Sequence, residues 1–110
     1  MNQNIKVSGI LKETKCLLSS PNAWIKNSAA QDKNGKPTYP FSADAVCWCI
    51  SGALDKAAAF ETSGYQKARD ILESLINQPI PMWNDTRGRT HKEVLELLDQ
   101  AIKLAENESY

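Results

Sequence analysis

The chain has 110 residues, 13 basic and 13 acidic side chains, a formal charge of zero and 42% hydrophobic residues. That is one domain's length, enough to bury about two-thirds of the unfolded surface in a single core. The apolar content excludes a wholly disordered chain, no run reaches the ~18 apolar residues of a membrane span, and the neutral balance gives no strong nucleic-acid signal.

The first periodic stretch is Val7, Ile10, Leu11, Thr14, Leu17 and Leu18. This spacing predicts a helix of about three turns with one apolar stripe. Ser8 is its expected cap, and Ser19-Ser20-Pro21-Asn22 stops it. Residues 23–40 read as a small ribbon: Ala23-Trp24-Ile25-Lys26, then the turn signal Asp32-Lys33-Asn34-Gly35-Lys36, then a return arm Pro37-Thr38-Tyr39. Trp24 and Tyr39 would anchor it on the helices.

A second helix is expected from Phe41-Ser42-Ala43-Asp44, with Ser42 as cap and Val46, Cys49, Ile50, Ala53 and Ala57 on its apolar side. It is the most apolar segment and reads as the central helix. A third helix opens at Ser63-Gly64-Tyr65, buries Ala68, Ile71, Leu72, Leu75 and Ile76, and ends before Pro79 and Pro81. The last begins with a capping box, Thr90-His91-Lys92-Glu93, and carries Val94, Leu97, Leu98, Ala101 and Leu104. The expected fold is mainly α (α+β): four helices in a single domain over residues 1–110, a β-hairpin inserted between the first two, and frayed ends at 1–6 and 106–110.

Charge is unevenly spread. Residues 1–36 carry six lysines against Glu13 and Asp32, while residues 93–110 carry five acids against Lys103. This polarity fits either two solvated faces or, less simply, head-to-tail association into a homo-oligomer.

The cysteines are Cys16, Cys47 and Cys49. An odd number argues against a secreted disulfide framework and for reduced thiols in a cytoplasmic setting. On a helix, Cys47 and Cys49 would lie about 200° apart and could not grip one ion, so two structural thiols outweigh a zinc site or a pair with His91. Asp44, Asp55 and Asp85 are the candidate acid–base carboxylates, with nothing local to bring them together. No nucleotide-binding glycine motif or serine-nucleophile motif is present, and no cofactor or metal is expected.

The informative segment is Trp83-Asn84-Asp85-Thr86-Arg87-Gly88-Arg89-Thr90, directly ahead of the capped helix. Helix N-termini offer free amides, Arg87 and Arg89 offer bidentate donors, Gly88 permits close approach, and Trp83 offers a stacking face. Asn84 and Asp85 could read hydroxyls or base edges. Together these suit a small anionic or nucleotide-like ligand, with Trp48 and His91 as additional candidates. The structural alternative is that Asp85 pairs with an arginine, Asn84 makes a turn, Trp83 plugs the core and His91 stays exposed. Trp48 then packs under the hairpin.

The order of motifs resembles a family of small bacterial and phage proteins described as a domain of unknown function. The resemblance spans about residues 8–104. It rests on Asp32-Lys33-Asn34-Gly35-Lys36-Pro37, on Trp48-Cys49-Ile50-Ser51-Gly52-Ala53, and on Trp83-Asn84-Asp85 followed by Gly88-Arg89-Thr90 and Glu93-Val94. Cys47 stands where the pattern has a polar or basic residue, which leaves it outside any shared site. The resemblance implies a bacterial or viral cytoplasmic setting, and one common purpose, fold or site, for Trp48, Trp83, Asn84, Asp85, Arg89 and Thr90.

The resulting expectation is a non-enzymatic binding protein that holds an anionic or nucleotide-like ligand at Trp83–Thr90. One alternative is a protein–protein interaction module or inhibitor of a host protein, as in phage anti-defence, using exposed aromatics such as Trp24, Tyr39 and Phe60. A further alternative is a small hydrolase using Asp85.

Overall fold

The computed structural model describes residues 6–108. Five helices, α1 (Val7–Leu17), α2 (Ile50–Ala58), α3 (Thr62–Ile76), α4 (Ile80–Asn84) and α5 (His91–Asn107), surround one core. Between α1 and α2 lie a 3-10 turn, Pro21–Ala23, and two short antiparallel strands, β1 (Ala30–Gln31) and β2 (Cys47–Trp48). The mainly helical fold with its inserted β ribbon is the expected one.

The central helix is α1, not the Val46–Ala57 stretch. It packs against α2, α3 and α5. Its stripe of Ile10, Leu11 and Leu18 is fully buried, and the buried Thr14 hydroxyl donates to the Ile10 carbonyl at 2.8 Å. Lys6, not Ser8, is its N-cap residue, and Ser8 is buried inside the helix. The lysines of α1 meet the acids of α5 within the same molecule: Lys12 pairs with Glu106 at 2.7 Å and Lys15 with Asp99 at 2.5 Å. Two of the six N-terminal lysines are thus matched with C-terminal acids across one helix pair. These pairs are exposed, so each contributes little to stability. Helix α5 remains regular through Asn107, past the onset of expected fraying at 106. The frayed ends expected at 1–5 and 109–110 lie outside the described residues.

The Asp32–Lys36 turn forms as expected. The Asp32 Oδ1 accepts the amides of Asn34 and Lys36 at 2.8 and 3.0 Å, and Gly35 takes φ +79°. The return arm pairs only through a bridge from Gln31 to Pro37 and the Thr38 amide to the Ala30 carbonyl. The main partner of β1 is instead β2, in register Ala30 to Trp48 and Gln31 to Cys47.

Cys47 and Trp48 are thus strand residues, a correction to the expected helix. Helix α2 starts only at Ile50. Its N-cap is Cys49, whose Sγ accepts the Gly52 amide at 3.3 Å. Ser42 caps a local turn through the Asp44 amide instead. Tertiary pairing with Ala30 and Gln31 overrides the helical spacing, as it often does for β-favouring residues such as tryptophan. Gly52 serves the same junction. A Cβ there would lie 2.0 Å from the Ala29 carbonyl oxygen, so the close approach is to the chain entering β1.

Helix α4 was not expected. Pro79 is its N-cap and Pro81 stands in its first turn, where a missing amide costs nothing. The capping box of α5 is complete: the Glu93 amide donates to Thr90 Oγ1 at 3.2 Å, and the Thr90 amide to Glu93 Oε1 at 2.9 Å. No helix among the described residues is long and apolar enough to cross a membrane.

Candidate functional site

The segment Trp83–Thr90 runs from the end of α4 to the cap of α5. Asn84 is fully buried and makes four hydrogen bonds. Its Oδ1 accepts from Trp24 Nε1 at 2.7 Å and from the Ile50 amide at 3.0 Å. Its Nδ2 donates to the Ile25 carbonyl at 3.1 Å and to Asp85 Oδ1 at 2.9 Å. These bonds use the full ordinary capacity of a carboxamide. They tie the chain after α1, the start of α2 and the end of α4 to one side chain. Asp85 Oδ1 also accepts the Asn27 amide at 2.9 Å, with Asn27 held at φ +67°.

Arg89 turns back onto its own loop. Its guanidinium lies 3.8 Å from the centre of the half-buried Trp83 ring, its Nε donates to the Trp83 carbonyl at 2.9 Å, and its Nη1 meets Glu93 at 3.4 Å. The side chain is only 16% exposed. Stacking on an indole while donating in plane is a mode suited to arginine. Thr90 is committed to the capping box. Arg87 and Gly88 are exposed at the tip, Gly88 at φ +86°.

His91 is half-buried, not exposed. Its Nε2 donates to the Leu18 carbonyl at 2.6 Å, and its ring tilts against Trp24 at 6.4 Å. The bond joins the end of α1 to the start of α5. Trp48, a residue of β2, is buried in the core, and its Nε1 donates to the Pro40 carbonyl at 2.8 Å. It connects to the loop only indirectly, because the Ile25 amide donates to the Trp48 carbonyl at 3.0 Å.

Trp83, Asn84, Asp85 and Arg89 therefore do come together, around the Trp24–Asn27 segment and each other, while Arg87 and Gly88 stand apart at the exposed tip. A shallow hollow of about 350 Å³ does adjoin Trp83, between α3 and α5. Its lining includes the carboxylates of Glu93 and Glu96 but neither Arg87 nor Arg89. Glu93 is held below the usual carboxylate range, first by the Thr90 amide and further by the Thr90 hydroxyl and Arg89. The hollow is thus negative where an anionic ligand would need positive charge.

A second cluster lies at the α2–α3 turn. Tyr39 is 73% exposed, Phe41 54% and Phe60 81%. Their rings touch in sequence: Tyr39 stacks on Phe41 at 5.9 Å with a 12° tilt, and Phe41 meets Phe60 at 5.3 Å with a 55° tilt. Ala59 and Phe60 both adopt left-handed backbone, at φ +49° and +71°. Beside the rings is a cavity of about 220 Å³ lined by Phe41, Asp55, Phe60, Glu61 and Tyr65 among others. Asp55 is an exposed residue whose carboxyl is partly covered, and that partial burial raises it above its ordinary range. Burial also raises the Tyr65 hydroxyl, with the charge of Asp55 adding to the effect. Glu61 is otherwise occupied: its Oε1 caps α3, accepting from the Gly64 amide and the Ser63 hydroxyl.

Of the aromatics singled out from sequence, Tyr39 and Phe60 belong to this cluster. Trp24 does not, because its indole is bound to Asn84. Sequence reasoning missed Phe41 and Tyr65, and it named Asp55 without a setting. The proximity of Phe41 to Tyr39 in the chain was the one available signal.

The cysteines sit apart from both places. The Cys47 thiol donates to the Gln31 carbonyl at 3.8 Å. Cys49 is raised above the ordinary thiol range, mainly by burial.

No curated protein and no solved structure matches the chain. A family described as one of unknown function, DUF6197, matches residues 2–104. That match spans nearly the whole sequence, and the chain belongs to this family of unknown function.

Proposed function

We propose that the protein acts by binding another protein through the Tyr39–Phe41–Phe60 surface. The observation that carries this reading is that three aromatic rings, each more than half exposed, form one continuous cluster. Aromatic side chains give large contact area at low entropic cost and dominate the energetic centres of interfaces. The backbone supports the same reading. Two successive non-glycine residues in left-handed conformation cost about 1–2 kcal/mol each. Here that strain presents Phe60 to solvent instead of burying it. Strain of this kind gathers at functional positions.

The reading makes the protein a non-enzymatic interaction module. In a bacterial or phage setting such a surface suits masking of a partner protein, including a host protein. A cytoplasmic location fits the three free thiols.

The test is site-specific photo-cross-linking in the cell of origin, with a photoreactive phenylalanine analogue at position 60 and, as control, at exposed Lys103. The expected result is one protein adduct at position 60, absent at 103 and lost when Tyr39→Ser and Phe41→Ser are added. Equal labelling at both positions, or an adduct indifferent to those substitutions, overturns the reading.

A further inference from the structure

We infer that the cavity between α2 and α3 receives a basic side chain, lysine or arginine, of the bound protein. This rests on the interaction reading and names what the partner must present. Phe41, Phe60 and Tyr65 supply aromatic walls, and Asp55 supplies negative charge. Aromatic faces attract cations through the ring quadrupole, most strongly when water is partly excluded.

The Asp55 carboxylate is the informative group. It lines the cavity, and no hydrogen-bond donor or cation among the described residues reaches its oxygens. Partial burial already disfavours its charge. Asp55 is an exposed residue, so its carboxylate is open to an incoming cation, and such a cation favours the charge that partial burial disfavours. The neighbouring charges do not supply it internally. Arg69 acts on Tyr65, but its guanidinium is placed 3.5 Å from Glu73. Glu61 adds a second carboxylate to the lining, and its own hydrogen bonds hold it in place. A cavity of about 220 Å³ suits a side chain better than a folded element.

The experiment is a nuclear magnetic resonance titration of the isotope-labelled protein. The probes are the N-acetyl methylamides of lysine, arginine and norleucine at constant ionic strength. Lysine, arginine or both should give saturable shifts at Phe41, Asp55, Phe60 and Tyr65. The uncharged norleucine probe, and the lysine probe on Asp55→Asn protein, should bind about tenfold more weakly. The spectrum of Asp55→Asn away from the cavity should match the wild type, which separates lost binding from lost folding. Equal binding of norleucine, undiminished binding to Asp55→Asn, or no saturable shift with either basic probe overturns the inference. A cross-link at position 60 that persists when these titrations fail leaves the interaction surface standing and removes only the basic guest.

Discussion

The Phe60 ring meets the Phe41 ring at 5.3 Å, yet both remain more than half exposed. Contact without enclosure distinguishes this pair from the core aromatics. Trp48, for comparison, is buried with its indole nitrogen bonded. The same distinction separates the two regions considered for function. In the Trp83–Thr90 loop, Asn84 and Arg89 are turned inward while Arg87 and Gly88 stay exposed, and the Tyr39–Phe41–Phe60 cluster is turned outward.

The inward loop has a direct consequence for stability. Replacing Asn84 by leucine leaves the Trp24 indole and the Ile50 amide without an acceptor, at about 1–3 kcal/mol for each buried group. Urea denaturation should show a loss of roughly 2–5 kcal/mol on this basis. Asn84→Asp keeps both acceptors but loses the donor to Ile25 and sets a charge beside Asp85, so it should fall between leucine and wild type. A leucine variant as stable as wild type would contradict the clasp.

Gly52 should tolerate no side chain. A Cβ would lie 2.0 Å from the Ala29 carbonyl oxygen, and the obstacle is backbone. Gly52→Ala should lower the unfolding free energy by about 1–3 kcal/mol or more, as overpacking does. A change below about 0.5 kcal/mol, the range of neutral surface substitutions, would show that the ribbon and α2 can separate freely.

The capping box should be visible in the pH dependence of stability. Glu93 has its carboxyl lowered in the folded protein, first by the Thr90 amide. Its ionised form therefore stabilises the fold above the ordinary glutamate value of 4.5, and that contribution disappears as pH falls through the lower folded value. Relative to Glu93→Gln, the wild type should lose stability on acidification from about pH 5 downward. Parallel curves for the two proteins across that range would remove the assignment.

Arg89 should behave as a structural group. Arg89→Lys cannot both stack on Trp83 and donate in plane to its carbonyl, so it should cost about 1–2 kcal/mol despite keeping the charge. A nucleotide panel should leave the melting temperature unchanged. A nucleotide that stabilised the wild type by ~2.7 kcal/mol, the effect of 100 times its dissociation constant, and failed on Arg89→Lys would place the binding surface at the loop instead.

What was legible in the sequence follows the range of the forces involved. Thr90 and Glu93 are three residues apart and satisfy each other, so the start of α5 could be read directly. The stripes of α1, α3 and α5 and the Asp32–Lys36 turn were equally local. Cys47 and Trp48 were misread because helical spacing continued through them, while their strand partners lay 16–18 residues earlier, at Gln31 and Ala30. Asn84 looked like a turn residue or a reader of ligands because its partners, Trp24 and Ile50, are distant in sequence. The exposed cluster was half legible: Tyr39 and Phe60 were candidates, but only the folded chain brings Phe41 and Asp55 beside them.

Under the proposed function, Phe60 is displayed for a partner and at the expense of the fold. Equilibrium unfolding of Phe60→Gly tests this without knowing the partner, because glycine relieves the left-handed strain and removes the ring together. The expected result is stability equal to wild type or higher by up to about 1 kcal/mol. A loss approaching the ~3–5 kcal/mol of a truncated core phenylalanine would show that the ring serves the fold itself.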